Sequence, residues 1–277
     1  MPGTLYVVAT PIGNLQDLGP RAVDILIQCD LVAAEDTRHS GRLLAHAGVG
    51  TTVIALHEHS SDRAVAALVE RLLGGESIAM ISDAGTPLIS DPGFELVRAC
   101  RDQDLPVVPV PGPCAMVAAL SVCGLATDRF CFEGFTPSKP VARKKYFQYL
   151  ARNKQTLVFY ESTHRIADSL ADMRQVMGGS RPAFLAREMT KMHEQYQRGT
   201  LDELLALLES GAIPQRGEFV LVVAGCPAPE EDSLQESARR LIEVLLAELS
   251  PSQSARLAAA ATGLPKKHCY QIALAVA

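Results

Sequence analysis

Four sets of polar residues stand directly after short apolar runs in this chain. Asp36 and Arg38 follow Leu31-Val32-Ala33-Ala34, and Asp83 and Asp91 follow Ile78-Ala79-Met80-Ile81. Tyr160, Glu161, His164 and Arg165 follow Thr156 to Phe159, and Arg187, Glu188 and Lys191 follow Ala183 to Ala186. Carboxylates in such places can accept a proton or hold a ribose or an amine, and the cations can steady a forming negative oxygen. The set suits group transfer from a bound organic donor; each residue taken singly could equally belong to a structural salt-bridge network. The densest stretch is Ser82 to Gly93, with two Gly, two Pro and two Asp in twelve residues. A buried strand that empties into such a loop has the form of a ligand-binding turn at the carboxyl edge of a parallel sheet. Its small residues let backbone approach a ligand closely, although the same residues also build plain surface turns.

Several chemistries are excluded or weakened. There is no Gly-x-Gly-x-x-Gly fingerprint, no phosphate-cradling Gly-x-x-x-x-Gly-Lys-Ser/Thr and no Gly-x-Ser-x-Gly elbow, which argues against redox, ATP and acyl-hydrolase chemistry. Seven scattered Cys without a Cys-x-x-Cys pair argue against a zinc knuckle or a disulfide framework and fit buried free thiols in a reducing cytosol. His57 and His59 could share a metal or simply decorate a strand edge, and no metal is assigned. A net charge of −5 means the surface as a whole does not attract nucleic acid, leaving only local patches to do so. With no basic leader and no apolar run near 18 residues, the sequence reads as soluble and cytoplasmic.

The elements that must position these residues are legible from periodicity. Strand-like runs alternate with amphipathic helical stretches through residue 115, which predicts a parallel α/β domain with its polar loops on one sheet edge. From Met116 to Cys226 a second α/β unit is expected, opening with the alternating Phe130 to Phe135. Between Gly134 and Tyr160 there is no acidic residue, while Lys139, Arg143, Lys144 and Lys145 are basic and Tyr146, Phe147 and Tyr149 are interleaved. That segment is either a solvated helix face or an RNA-holding one. Residues 227–277 read as a Pro-rich acidic linker, a leucine-striped helix with Ser233 as cap, and two short helices around Thr262-Gly263 with Lys266-Lys267 in the turn. The outline is that of a helix-turn-helix, and also of many small bundles.

Ala9 to Leu15, Glu35-Asp36-Thr37-Arg38, Ser82 to Pro87, Ser90 to Gly93, Pro111-Gly112-Pro113, Gly134-Phe135, Tyr160-Glu161-Ser162 and Arg187 to Lys191 together resemble the ribosomal RNA small-subunit methyltransferase I family. That family belongs to the tetrapyrrole-methylase-like enzymes. The resemblance runs in order from about residue 4 to 225 and departs at Thr163, where the family usually has Pro before His-Arg. It implies two α/β domains of tetrapyrrole-methylase type with S-adenosylmethionine in the cleft between them, a small C-terminal helical unit that binds RNA, and a homodimer. It also implies 2′-O-methylation of a cytidine ribose in the decoding region of 16S ribosomal RNA. Carried onto this sequence, the donor would meet Pro11, Gly13, Asp83, Gly85, Thr86, Ile89, Cys114 and Ala115 from the first domain and Tyr160 and Met189 from the second. Relatives that act on porphyrin-type rings have Asp where Thr86 stands. Proton acceptors could be Asp36, Glu161 or Glu188, and oxygen-stabilising cations Arg38, Arg165 or Lys191. RNA would lie on Lys139, Arg143, Lys144, Lys145, Lys266 and Lys267. Two other readings stay open from the residues: a tetrapyrrole-type small-molecule methylase, and a non-catalytic RNA-binding protein that kept the fold.

Overall fold

The computed structural model describes residues 1–57, 62–227 and 231–276, with backbone alone for 231–233. In the first sheet the strands are β1 (Leu5–Val8), β2 (Leu31–Ala34), β3 (Val53–Ala55), β4 (Ile78–Ile81) and β5 (Val107–Val110). They pair in parallel in the order β3-β2-β4-β1-β5. Helices α1 (Pro20–Gln28), α2 (Thr37–His46), α3 (Asp62–Leu73) and α4 (Phe94–Asp102) make the crossovers. All four residues of β2 and of β4 are buried, as expected where helices cover both faces. Side chains alternate between the two layers. Leu31, Ala33, Ile78 and Met80 pack with Leu68, Leu72 and Leu96, while Val32, Ala34, Ala79 and Ile81 pack with Leu26 and Leu44.

After α5 (Ala115–Val122) the second sheet is built from β6 (Phe130–Phe135), β7 (Thr156–Ser162), β8 (Pro182–Arg187), β9 (Gln195–Thr200) and β10 (Glu218–Val223), in the order β6-β7-β10-β8-β9. Only β6 and β7 run parallel; the other neighbours are antiparallel. One face is covered by α6 (Pro140–Leu150), α7 (Ile166–Met177) and α8 (Leu201–Glu209) through Phe147, Leu170, Met173 and Leu204. The opposite face, with Val158, Phe184, Val220 and Val222, receives Ala119 and Leu120 of α5 together with Ile12 from the loop after β1. That last cluster joins the two sheets inside one compact unit, Met1–Cys226. Sequence periodicity placed no strand at β9; its Gln, Arg and Thr side chains are those of a polar edge strand, which lacks the apolar signal.

Pro227–Ala277 forms a separate unit of three helices, α9 (Glu231–Leu245), α10 (Pro251–Thr262) and α11 (Lys266–Val276). Ala238, Ile242, Ala255, Ala258, Leu264, Cys269 and Ala273 make its core. α9 begins at Glu231, so Ser233 lies inside the helix rather than capping it. Ser250 and Gln253 start α10, with Gln253 Oε1 accepting from Ser250 N at 3.2 Å, and Gly263 in the left-handed region (φ 78°) ends it. Lys266 and Lys267 are exposed on the first turn of α11.

The RNA-holding face expected on α6 lacks one of its cations. Arg143 does not face solvent: it is 2 % exposed, and its Nε and Nη2 both donate to Asp172 Oδ2 at 2.7 Å, with Asp168 at 3.9 Å. Lys144 Nζ reaches the other Asp172 oxygen at 3.4 Å. The segment is acid-free in sequence, but α7 folds its carboxylates over α6. Arg143 therefore holds these helices together and is unavailable to RNA. Removing one partner of a buried pair strands the other charge, so Arg143→Met should cost about 3–5 kcal/mol in chemical denaturation. Adding Asp172→Leu should recover most of that loss, and an additive double variant would contradict this reading.

Candidate active site

The loops after β1 and β4 are locked to each other by an isolated antiparallel bridge. Thr10 N donates to Gly85 O at 2.8 Å, and Gly85 N donates back to Thr10 O at 3.0 Å. The fully buried Thr10 hydroxyl adds a bond to Ser82 O at 3.2 Å. Gly85 holds φ 86°, a conformation that side chains rarely adopt, so the bridge requires glycine there. Farther along, Leu88 and Ser90 also sit at positive φ (73° and 65°), and the Thr86 hydroxyl donates to Pro113 O at 3.0 Å. Three loops at the carboxyl edge of the first sheet thus form one wall. The second sheet supplies the facing wall, and between them lies a cavity of about 390 Å³, a size typical of small-molecule sites. Ile12, Gly85, Thr86, Ile89, Asp91, Cys114 and Ala115 line one side, and Phe135, Tyr160, Glu161, His164 and Met189 the other.

Tyr160 is fixed from several directions. Its Oη accepts from Met116 N at 3.0 Å, which satisfies an orphan N–H in the first turn of α5, and Phe132 and Phe135 meet its ring edge-on with centroids at 4.8 and 5.8 Å. Burial foremost, then the neighbouring Cys114 and Asp91, pushes its phenol well above the usual range. Glu161 is 2 % exposed and fully engaged: Oε2 accepts from the Thr136 hydroxyl and from Ser169 Oγ at 2.7 Å. Its Oε1 accepts from Ser162 N at 2.8 Å and pairs with Arg165 at 3.0 Å. Arg165 in turn donates to Ser162 Oγ and Thr136 O and lies over the Phe135 ring. With both oxygens committed, Glu161 organises the wall and has no lone pair placed to take a substrate proton.

Asp91 is different. Burial pushes its carboxyl up to about 6, a Ser82 hydrogen bond opposes the rise, and the Glu35 and Asp83 charges add to it. It is a cavity-lining acid that changes charge near neutrality. From sequence it was visible only as one more loop acceptor, because the carboxylates that perturb it are brought close only by the fold.

Other sequence candidates sit elsewhere. Asp36 is the N-cap of α2, accepting from Arg38 N at 2.8 Å and His39 N at 3.2 Å, and its own N–H donates to Asp83 Oδ1 at 3.1 Å. The two helix N–H groups hold the Asp36 carboxyl below the usual range. Arg38 is exposed, and neither it nor Asp36 lines the cavity; Asp83 stands behind the wall beside them. Pro11 is buried outside the cavity, and Gly13 packs against the opposite loop, where a Cβ would fall 2.5 Å from Lys191 Cγ. Glu188 and Lys191 form a closed group: Lys191 Nζ donates to Glu188 Oε1 and to Glu218 Oε2, both at 2.9 Å, and Glu218 N donates to Glu188 Oε1 at 2.9 Å. Burial alone would raise Glu188; the Lys191 ammonium and the Glu218 N–H outweigh it and leave the carboxyl low. For Lys191, burial works downward and the two carboxylates overcome it, so the amine is raised. Lys139, at the N-cap of α6, and Lys145, on the helix, are exposed, Lys144 is half-buried, and Lys266 and Lys267 belong to the other unit. Among the described residues no cluster of three or more His, Cys, Asp and Glu could hold a metal, and His59 lies outside them. No helix among them is long and apolar enough to cross a membrane.

Asp91 generates a stability prediction. Its folded pKa of about 6 lies above the unfolded value of 3.8, so the stability linked to its proton is fully present below pH 4 and lost as pH rises through about 6. At pH 7.5, Asp91→Asn should therefore stabilise the protein by about 1–3 kcal/mol in thermal or chemical unfolding. The gain should vanish near pH 3.5; an Asn variant less stable at pH 7.5 would contradict the assigned environment.

The sequence and fold correspond to known proteins. The sequence profile of the Tetrapyrrole (Corrin/Porphyrin) Methylases matches residues 4–205, and that of the RsmI C-terminal HTH domain matches residues 232–277. The Ribosomal RNA small subunit methyltransferase I of Pseudomonas aeruginosa is 52 % identical over 273 residues, covering 98 % of this chain and 97 % of that protein. The protein of the same name from Xylella fastidiosa is 50 % identical over 270 residues, with 97 % and 98 % covered. Among solved structures, uroporphyrin-III C-methyltransferase from Thermus thermophilus, complexed with S-adenosylhomocysteine, superposes with a TM-score of 0.55 at 17 % identity. It covers 80 % of this chain and 97 % of its own, a likeness of fold. With both profiles matched in order and half of all residues shared along nearly the whole length, this chain belongs to the ribosomal RNA small subunit methyltransferase I family, on a tetrapyrrole-methylase fold.

Proposed function

We propose that this protein uses S-adenosylmethionine to methylate the 2′-hydroxyl of a cytidine ribose in the decoding region of 16S ribosomal RNA. The observation that carries the mechanism is the cavity between the two sheets, which has a single carboxyl, Asp91, poised to change charge near neutrality. The identity to rRNA methyltransferases along almost the entire chain supports the substrate class. The donor's chemistry fits the residues present. Ile12, Ile89 and Met189 would cover its apolar parts, the backbone of Ala84 to Thr86 would approach its polar edges, and Asp91 would face its cation. The Thr86 hydroxyl is already given to Pro113 O, so this residue braces the wall.

Bound there, S-adenosylmethionine supplies a methyl group activated by a positive sulfur. With the donor held there, its methyl group would pass to the ribose oxygen as the carbon–sulfur bond breaks with its electron pair left on sulfur, and Asp91 would take the hydroxyl proton. A cation beside Asp91 favours its charged form, so the donor itself prepares the base. Glu161 and Arg165 act by holding the facing wall, and Tyr160 by tying it to α5. In this reading residues 1–115 carry most donor-binding loops, 116–226 complete the site, and 227–277 hold the RNA. The protein works as a homodimer in the cytoplasm, where small ribosomal subunits reside.

Incubating the protein with labelled donor and unmethylated 30S subunits or 16S RNA, followed by nucleoside analysis, should yield 2′-O-methylcytidine; a base-methylated product or none would contradict the proposal. In the same assay kcat/KM should rise with pH through an ionisation near 6, since the free carboxyl must be deprotonated. Asp91→Asn should lower kcat by about 10²–10⁴-fold. A variant with near-normal kcat would remove Asp91 from the chemistry.

A further inference from the structure

We propose that the outward face of α2, from Arg38 to His46, docks the phosphate backbone of the substrate RNA beside the cavity. The inference rests on the RNA-methylating reading and adds a surface to it. Helix α2 carries two Arg and two His and no carboxylate, in a chain whose net charge is −5. Arg38, Arg42 and His46 succeed one another at four-residue steps, and His39 falls three before Arg42, so the four share one stripe roughly 12 Å long. All four are exposed, while Ser40, Leu43 and Leu44 turn inward.

The stripe's charge is answered only in part. Among the described residues Arg38 has one ion pair, a surface contact at 3.6 Å with Asp36 Oδ2, while Asp36 Oδ1 takes two helix N–H groups. Arg42 has no ion pair among the described residues. Of the two basic, carboxylate-free helices of this unit the contrast favours α2: α6 looks more basic in sequence, yet Asp168 and Asp172 neutralise Arg143 and Lys144 and leave Lys145 as its exposed cation. Exposed guanidinium groups are well matched to phosphate oxygens.

Position supports the same partner. The stripe starts within one turn of the N-cap Asp36, whose N–H is bonded to Asp83, the neighbour of Ala84 in the cavity wall. It ends at His46, which borders an open groove of about 620 Å³ shared with Asn14, Gln16, Thr190 and Lys191. Gly13 and Thr190 of that groove follow Ile12 and Met189 of the cavity lining, so a strand that enters the cavity along the groove would pass His46 at the end of α2. In an otherwise acidic protein, such a stripe also orients the approaching polyanion.

The test uses the full chain and unmethylated 30S subunits, comparing wild type with Arg42→Glu and with Arg38→Ala/Arg42→Ala. Two lost phosphate contacts should reduce the slope of log affinity against log salt by about 1.4 and weaken RNA binding about tenfold. Arg42→Glu should raise the KM for RNA with kcat kept, and Arg42→Lys should restore most of the loss. Calorimetry with S-adenosylhomocysteine should show unchanged donor affinity in every variant, which also verifies folding. If the wild type methylates RNA while the variants keep its KM and salt slope, the docking surface is overturned and the activity stands. If the wild type methylates no RNA, the functional reading itself falls.

Discussion

Two backbone hydrogen bonds, exchanged between Thr10 and Gly85, hold the site in register. β4 and β1 are neighbours whose onward connections leave in opposite directions, to β5 on one side and β2 on the other, which opens a crevice at their carboxyl ends. The bridge closes the floor of that crevice. It fixes Gly85 and so the loop through Asp91, and it aims the next residues of the first loop so that Ile12 enters the core shared with the second sheet. Thr86 and Tyr160 then tie the remaining walls to Pro113 and Met116. The cavity is therefore preformed, held by peptide groups and by the fixed Thr86 and Tyr160 side chains, so ligand binding need not order these loops first.

The electrostatic arrangement divides the carboxylates by how completely they are satisfied. Asp36, Glu161, Asp172 and Glu188 each accept from several donors, and they serve as caps and braces. Asp91 is held near Glu35 and Asp83 with only Ser82 to relieve it. A site that keeps an acid in so unfavourable a place loses stability, a pattern expected where the acid is needed in its neutral and its charged forms. The cations divide in the same way: Arg143 and Arg165 are internal fasteners, whereas Arg38, paired only at the surface with Asp36, and Arg42, with no ion pair among the described residues, are exposed to a solvent-borne anion.

Much of this was legible beforehand. The alternation of apolar runs and amphipathic stretches located the parallel strands, and the Gly-Pro-Asp loop after β4 marked the cavity wall. Local patterns could not show what converges from a distance. Arg143 looks like a surface cation until α7 brings Asp172 to it, and Asp91 looks ordinary until Glu35 joins it from another strand end. Asp36 was open to a better local reading, since an Asp just before an amphipathic helix is a capping signal. β9 escaped because an edge strand needs no apolar face, and the register of its pairing with β8 is visible only in the fold.

On the proposed function, the bridge presents a rigid, ready-made cavity to the donor. A crystal structure with S-adenosylhomocysteine tests it most directly. The account requires the ligand between the Gly85–Asp91 loop and Tyr160, with the Thr10–Gly85 hydrogen bonds unchanged. Ligand bound in the groove beside Gly13 and His46, or a bridge that must break to admit it, would contradict the account.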